Sequence, residues 1–358
     1  MKNEKNPFIN QVLTEGKIIY ESKQKRKLAK GGNMLIYFLI FCLMFSSTYP
    51  LLAQEKTPQQ TLQQQVDPFT SNVEKLKDKD ASVRRRAVDE LSRLRDPRAI
   101  PHLINSLKDT DQFVRMSAVD ALGLLRAKEA TVHISKLLTD DKEPQVRQSA
   151  AVALGYILDR SAIPALIKGL KDPADGPRFA SAQTLGILRA TEAVPALVEC
   201  LNDKNPNMKR TALSALGQIG DKSIEKNITE LLNDSDTNVK IEAIRVLSVI
   251  GSTNSISALK PLLEDKDKKV KVQTVNTLSK LGDSSGLELA LQLAQDTDPT
   301  VKIVAIESLG FIGDKRAIPV LEKATKDTNN YVSQNAKFAL DKIKAKYPKT
   351  EQAPSKRK

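Results

Sequence analysis

Residues 143–157 read EPQVRQSAAVALGYI, and the spacing of their apolar residues is the clearest indication of the fold. Its apolar side chains Val146, Ala150, Leu154 and Ile157 follow at intervals of four, four and three residues, the spacing of one face of an α-helix. Equivalent stretches recur every 31 residues, with one interval of 32, and each begins at an apolar residue that we call the anchor. A leucine follows every anchor by eight residues. The nine anchors are Val83, Val114, Val146, Pro177, Met208, Val239, Val270, Val301 and Val332. A period this regular predicts units that stack on their neighbours.

A second apolar segment accompanies each of these stretches. Residues 162–170, AIPALIKGL, are one example, and an aspartate closes each such segment about five residues before the next anchor. Asp or Asn three residues before several anchors is an N-cap signal, and glycines such as Gly220 and Gly251 stop the anchor helix at equivalent places. Each unit is therefore predicted to be two antiparallel helices. The chain is predicted to be all-α, a right-handed α-solenoid of nine units over residues 67–346.

The net charge of +13 lies mainly at the two ends of the chain. Residues 1–33 and 341–358 each carry a net +5, whereas residues 55–340 carry only +3. A nearly neutral array does not indicate specific nucleic-acid binding. We expect the basic tail, residues 347–358, to be disordered and to solubilise the chain end; attraction to an anionic surface is the alternative.

The N-terminal residues 1–53 have the order of an export signal. Basic residues precede the uncharged run MLIYFLIFCLMF at residues 34–45, and a breaker and a small residue follow up to Ala53. A run of this length is short for a membrane span, which needs about 20 residues, so we favour cleavage after Ala53. The alternative is a retained inner-membrane anchor at residues 34–52. Both interpretations export the array to the periplasm or another extracytoplasmic compartment. The glutamine-rich residues 54–66, which follow this segment, predict a flexible linker.

The second unit carries a recognisable family pattern. It contains Pro101, Asp109, Val114 and Arg115, followed by Ala118 and the run Ala121-Leu122-Gly123. This pattern resembles the HEAT repeat, and most closely the short HEAT-like repeats of the phycobilisome lyases. The resemblance implies a stack of helix pairs. It does not assign a function, because enzymes, chaperones and scaffolds all use such repeats.

In HEAT proteins the aspartate before the anchor and the basic residue after it pair along the stack. Here a basic residue follows eight of the nine anchors, as Arg147 follows Val146. The third unit contains the single insertion, and we assign its aspartate to Asp140. A row of cations could bind phosphates, but the resemblance favours charge pairing between neighbouring units.

The sequence offers no catalytic or metal-binding constellation. His102 and His133, the only histidines, recur at the same place in successive units without a third ligand. Neither is followed by the glutamate that the HEAT-like deoxyhypusine hydroxylases use to bind iron. Cys200 adjoins the apolar Leu201 and is expected to be a small buried residue. We therefore predict that the chain is not an enzyme and uses no metal and no cofactor; a HEAT-like lyase or oxidoreductase is the alternative.

The variable positions of the anchor helix supply the candidate binding residues. Positions two, six and ten after each anchor lie on one helical face, which in HEAT proteins lines the concave side. Apolar residues are frequent there, and the candidates are Met116, Leu124, Val152, Tyr156, Phe179, Ile187, Ile241, Val249, Ile303 and Phe311. An exposed apolar stripe is typical of a partner site, and packing against the next unit is the alternative. The irregular start of the fourth unit, at Pro173, is expected to redirect Phe179.

These observations predict an exported, non-catalytic scaffold or adaptor. We expect it to bind a protein or peptide on its concave face, to have no specific nucleic-acid partner and to be a monomer. Contact with a membrane is expected only through the N-terminal segment, if that segment is retained.

Overall fold

The computed structural model describes residues 67–347, and this part of the chain contains 18 α-helices and no β-strand. Each unit contributes an odd-numbered helix and then an even-numbered helix that holds the anchor. The odd-numbered helices are α1 (Pro68–Lys75), α3 (Ile100–Ser106), α5 (Thr131–Asp140), α7 (Ile163–Gly169), α9 (Val194–Glu199), α11 (Glu225–Glu230), α13 (Thr253–Leu259), α15 (Leu287–Leu293) and α17 (Ile318–Ala324). The even-numbered helices are α2 (Ala81–Leu94), α4 (Gln112–Leu124), α6 (Pro144–Ile157), α8 (Asp175–Ile187), α10 (Pro206–Ile219), α12 (Thr237–Ile250), α14 (Lys268–Lys280), α16 (Pro299–Ile312) and α18 (Asn330–Lys346).

Each even-numbered helix packs on the next even-numbered helix and on the odd-numbered helix of its own unit. The leucine eight residues after the anchor is buried in all nine units, as at Leu154 and Leu216. Burial of one apolar face against neighbouring units is what stabilises each helix pair, since neither helix can cover its own stripe. The predicted all-α solenoid of nine two-helix units is therefore confirmed.

Close approach between consecutive even-numbered helices depends on small residues nine positions after the anchor. A Cβ atom placed on Gly186 would lie 2.9 Å from the Cα atom of Ala215 in the next unit, and one on Gly123 would lie 3.0 Å from the Cβ atom of Ala153. Contacts this short leave no room for a side chain. The glycine of the family pattern is thus a packing requirement.

Seven of the nine even-numbered helices begin at a side-chain cap. The Asp111 carboxylate accepts hydrogen bonds from the amides of Phe113 and Val114 at 2.8 and 3.1 Å, and Asp236 caps α12 in the same way. These bonds satisfy amides that have no partner inside the helix. The predicted N-cap signals are confirmed at these positions.

The twelfth residue after the anchor ends most of the even-numbered helices in a left-handed conformation. Glycine takes this conformation at Gly220, with φ of 77°, and also in the seventh and eighth units. In the first four units the residue is not glycine, and its φ is still positive: Arg95, Arg126, Leu158 and Arg189. A side chain in this region costs about 1–2 kcal/mol. Gly251 also caps its helix, α12, as predicted, but it does so in an extended conformation with φ of −64° and ψ of 157°.

Helix α14 is unlike the other even-numbered helices because four of its eight buried residues are polar. Thr274, Asn276, Thr277 and Ser279 are all buried. The Thr277 hydroxyl donates to the carbonyl of Ile244 at 3.1 Å, and the Asn276 amide donates to the Ser308 hydroxyl at 3.3 Å. The apolar core is divided at this point into two clusters, residues 88–278 and residues 272–343.

Within residues 67–347 no helix is both long enough and apolar enough to cross a membrane. The predicted leader (residues 1–53), the linker (54–66) and all of the predicted tail except Tyr347 lie outside the described residues. Those boundaries remain predictions.

Candidate partner-binding face

The cations that follow the anchors are engaged in a ladder of ion pairs between units. Arg84 donates to both carboxylate oxygens of Asp109 in the next unit, at 2.7 Å each, and Arg147 binds Asp172 in the same bidentate way. The third nitrogen of Arg84, Nη1, donates to the carbonyls of Asp78 and Lys79 in its own unit, at 2.9 and 3.0 Å. Each arginine therefore ties the loop of one unit to the aspartate of the next.

The structure corrects the assignment of the third aspartate. Arg115 pairs with Asp141 at 2.7 Å, whereas Asp140 is the last residue of α5 and is exposed. The insertion lengthens α5. Asp141, which lies five residues before Val146, therefore takes the same position as the other ladder aspartates. Our assignment to Asp140 was wrong by one residue.

The ladder continues with lysine in the later units. Lysine Nζ atoms and carboxylates lie within 2.7 Å in the pairs Lys209–Asp234, Lys240–Asp265 and Lys302–Asp327. In the fourth unit Arg178 is shared between Asp203 and Asp175, and in the seventh unit Lys268 takes the place expected for Lys271. Charge pairing along the stack is thus confirmed, and these cations hold aspartates of the chain itself.

Two competing effects act on the ladder carboxylates. Burial by itself would raise the pKa of Asp172, but hydrogen bonds from Arg147 and from the Ala174 amide hold the pKa below its ordinary value. The pKa of Asp109 is lowered by the same kind of contacts, again against the effect of burial. Both groups are therefore charged in the folded chain at neutral pH.

The ten candidate binding residues divide into two groups in the structure. Four of them, all two residues after an anchor, are half-buried: Met116, Phe179, Ile241 and Ile303. Six of them, at the sixth and tenth positions, are exposed: Leu124, Val152, Tyr156, Ile187, Val249 and Phe311. The alternative of packing against neighbours thus applies to the first group, because Phe179, Ile241 and Ile303 contact the apolar core.

Three consecutive units place exposed apolar residues at the tenth position, and we call this row the apolar strip. Leu124 is 68% exposed, Tyr156 is 52% exposed and Ile187 is 54% exposed. Their helices α4, α6 and α8 pack side by side, so equivalent residues lie about 8–10 Å apart. Val152, one helical turn before Tyr156, is also exposed and widens the strip.

Beyond the strip, the tenth position after the anchor holds polar residues as well as apolar ones. Gln218 is polar, and Val249 is apolar between polar residues at this position in the two neighbouring units. In the eighth unit the Phe311 ring is covered by Lys342 and Lys280, with Nζ atoms 4.1 and 5.3 Å from the ring centre. These cations cover part of the surface of the ring. The uncovered apolar residues at the tenth position are therefore concentrated in the first half of the array.

The irregular start of the fourth unit does not redirect Phe179 toward solvent. Helix α8 begins at Asp175, and Pro177 occupies the buried anchor position like the other anchors. The capping residue is Ala174, which makes no side-chain cap. The expectation for Phe179 was wrong because the buried anchor keeps the helix in register and Phe179 packs against the core.

A cleft of about 700 Å³ that sequence reasoning did not identify lies where the insertion occurs. Leu107 and Leu137 form part of its wall, and His133, Asp140 and Asp141 also line it. The feature of the sequence that marks this place is the interval of 32 residues between the anchors Val114 and Val146. The cleft is open, and two of its charged groups, Arg115 and Asp141, are already paired with one another.

Two of the other titratable candidates, His102 and Cys200, are packing residues, whereas His133 is exposed. The rings of His102 and Phe69 meet edge to face, 6.0 Å apart. Burial, and secondarily the charge of Asp203, raises the pKa of the half-buried Cys200 thiol to about 11, which disfavours the reactive thiolate. Within residues 67–347, His, Cys, Asp and Glu side chains nowhere gather in a group of three or more that could hold a metal ion.

Comparison with known proteins gives matches over most of the chain. A family model described as HEAT repeats matches residues 70–154, 131–206, 194–270 and 256–341. The crystal structure of YibA from Escherichia coli is similar with a TM-score of 0.52 and 22% identity, over 74% of this chain and 98% of that one. No curated protein sequence matches the chain.

A second solved structure bears on the prediction that the chain is not an enzyme. The CpcE–CpcF complex of phycocyanin lyase from Nostoc sp. PCC7120 is similar with a TM-score of 0.36 and 21% identity, over 83% of this chain and 100% of that one. That complex is named as a lyase, which is an enzyme. The prediction of a non-enzyme is contradicted by this finding and is withdrawn, while a likeness of this size concerns the fold and assigns no reaction.

Proposed function

The chain belongs to the HEAT-repeat family, and from this premise we propose that it is a scaffold that binds a protein or peptide partner on the apolar strip. The observation that supports the proposal is the row of Leu124, Tyr156 and Ile187, each more than half exposed in consecutive units. Soluble chains seldom leave adjoining apolar side chains uncovered unless a partner covers them. The ladder cations offer no competing site, because aspartates of the neighbouring units occupy them.

Two charged substitutions in the strip are expected to abolish partner recovery. A variant with Tyr156→Asp and Ile187→Asp places charge in the centre of the proposed interface, where loss of apolar anchors typically weakens binding by about 10-fold or more. Both side chains are exposed, so the fold should be retained. The measurement is the amount of partner co-purified after crosslinking in cells that make the variant or the wild type.

A matched control separates the strip from exposed apolar surface in general. Val132 and Tyr331 are 73% and 72% exposed and lie outside the strip. The variant with Val132→Asp and Tyr331→Asp should recover the same partners as the wild type. Equal recovery by the strip variant and the wild type would overturn the proposal.

We also propose that the array works outside the cytoplasm. The support is the sequence alone: a basic lead, the apolar run at residues 34–45 and the breaker and small residue that end at Ala53. Mass spectrometry of the mature chain should find an N-terminus just after Ala53 if the segment is cleaved. A mature chain that begins at Met1 and fractionates with membranes would indicate the anchor instead, and one that begins at Met1 in the soluble cytoplasm would contradict export.

A further inference from the structure

Three arginines stand where the backbone favours glycine. Arg95, Arg126 and Arg189 occupy the twelfth position after the anchor with φ of 51°, 52° and 47°. Later units place glycine at this position, as at Gly220 and Gly313. Since the same turn forms with glycine at lower conformational cost, the turn itself does not require these guanidinium groups.

Within the described part of the chain, these guanidinium groups are also unusual in having no hydrogen-bond, ion-pair or aromatic partner. Among residues 67–347, every arginine other than these three and Arg210 contacts a carboxylate, a carbonyl, a hydroxyl or an aromatic ring. Arg210 lies near the start of α10, two residues after the anchor Met208, whereas the other three lie at the C-terminal ends of their helices. Within the described residues, those three therefore share one position in the repeat.

The position of these arginines relates them to the apolar strip. Arg126 follows Leu124 by two residues, and Arg189 follows Ile187 by two residues. Between them the third unit has two apolar residues, Tyr156 and the 45% exposed Leu158. The surface is therefore apolar at its centre and carries an exposed guanidinium group on either side, about 16–20 Å apart at one interhelical spacing per unit.

We propose that the partner segment on the apolar strip is acidic, with apolar side chains over Tyr156 and Leu158 and carboxylates bound by Arg126 and Arg189. Arg95 extends the row by one unit. This inference rests on the proposed function and specifies its ligand. Guanidinium groups bind carboxylates through two parallel hydrogen bonds, and a side chain kept in a strained conformation without an internal contact is best explained by an external one. Aliphatic Leu124 and Ile187 suit a peptide better than stacked bases.

The test uses synthetic peptides of defined chemistry and the full-length chain. Three labelled 20-residue peptides combine leucine with glutamate, leucine with lysine, and serine with glutamate, and binding is measured by fluorescence anisotropy. The leucine–glutamate peptide should bind best, and its affinity should fall with added salt. In the variant with Arg95→Gly, Arg126→Gly and Arg189→Gly, its affinity should fall about 10-fold or more while the thermal midpoint rises. If the arginines instead stabilised the fold, the thermal midpoint of this variant would fall.

A charge-matched variant serves as the control. Lys168, Lys226 and Lys323 are exposed on odd-numbered helices, and replacing all three by glutamine removes the same charge away from the strip. This variant should bind the leucine–glutamate peptide like the wild type. The inference is overturned if the arginine variant binds that peptide as tightly as the wild type, or if the wild type prefers the leucine–lysine peptide or a 20-nucleotide single strand.

The partner assay distinguishes this inference from the proposal on which it rests. If the Tyr156→Asp and Ile187→Asp variant loses the cellular partner but the arginine variant keeps it, the strip binds a partner that is not recognised by charge. If both variants keep the partner, the strip is not the binding surface and both proposals fail.

Discussion

Replacing Leu154 by alanine is expected to lower the free energy of unfolding around α6 by about 2–5 kcal/mol. The side chain is completely buried, in the core shared by neighbouring units. Truncation removes its apolar contacts and leaves a cavity that helices held close together at Gly123 and Gly155 cannot readily close. Amide hydrogen exchange measures the effect helix by helix, and the loss of protection should be greatest in α4, α6 and α8.

Leu124 provides a control with the same chemistry. It is 68% exposed, so Leu124→Ala should change the free energy of unfolding by no more than about 0.5 kcal/mol. Similar losses of protection in both variants would show that the apolar stripe of α6 does not face the core.

Replacing Asp141 by alanine is expected to destabilise the third unit by about 3–5 kcal/mol. The Asp141 and Arg115 side chains are 5% and 7% exposed, and removal of the carboxylate leaves a buried guanidinium group without its counter-charge. The Glu143 amide also loses its hydrogen bond to Asp141. Urea denaturation followed by circular dichroism, together with hydrogen exchange of α5 and α6, measures this loss.

The neighbouring Asp140 makes a close control for that experiment. It is exposed at the C-terminal end of α5, where a negative charge is unfavourable to the helix dipole. Asp140→Ala should therefore cause no measurable loss. A larger loss of stability in the Asp140 variant than in the Asp141 variant would show that Asp140, and not Asp141, belongs to the ladder.

Acid gives an independent readout of the ladder. The folded-state pKa values of Asp109 and Asp172 are lowered, so their contribution to stability is complete above the unfolded pKa of about 4. It is lost as the pH falls through the lower folded values. The stability of the array should therefore decrease below about pH 4 and should be insensitive to these groups near neutrality.

Much of the fold could be predicted from the sequence because stacking repeats one local requirement nine times. Leu154 and Val146 show their helical face directly in the spacing of apolar residues. Our assignment to Asp140 overlooked that every other ladder aspartate lies five residues before its anchor, a spacing that selects Asp141. The geometry of Arg115 agrees with that spacing.

The candidate site was predicted less well, since helical periodicity gives the direction of a side chain and not its exposure. Phe179 and Tyr156 lie on the same predicted face, but Phe179 is half-buried against the core and Tyr156 is open to solvent. The conformation of Arg126 had no signal of its own. A comparison of Arg126 with Gly220 at the equivalent place in another unit was the available clue.

The polar interior of α14 has a consequence for how the array responds to stress. Apolar burial is tolerant of small displacements, whereas a hydrogen bond such as that between Thr277 and the Ile244 carbonyl weakens steeply when its geometry changes. The two core clusters that meet there should melt as separate cooperative blocks, with α14 as the boundary at which one block can unravel while the other stays folded. A heated or stretched chain would then pass through a half-folded form that still carries the apolar strip intact.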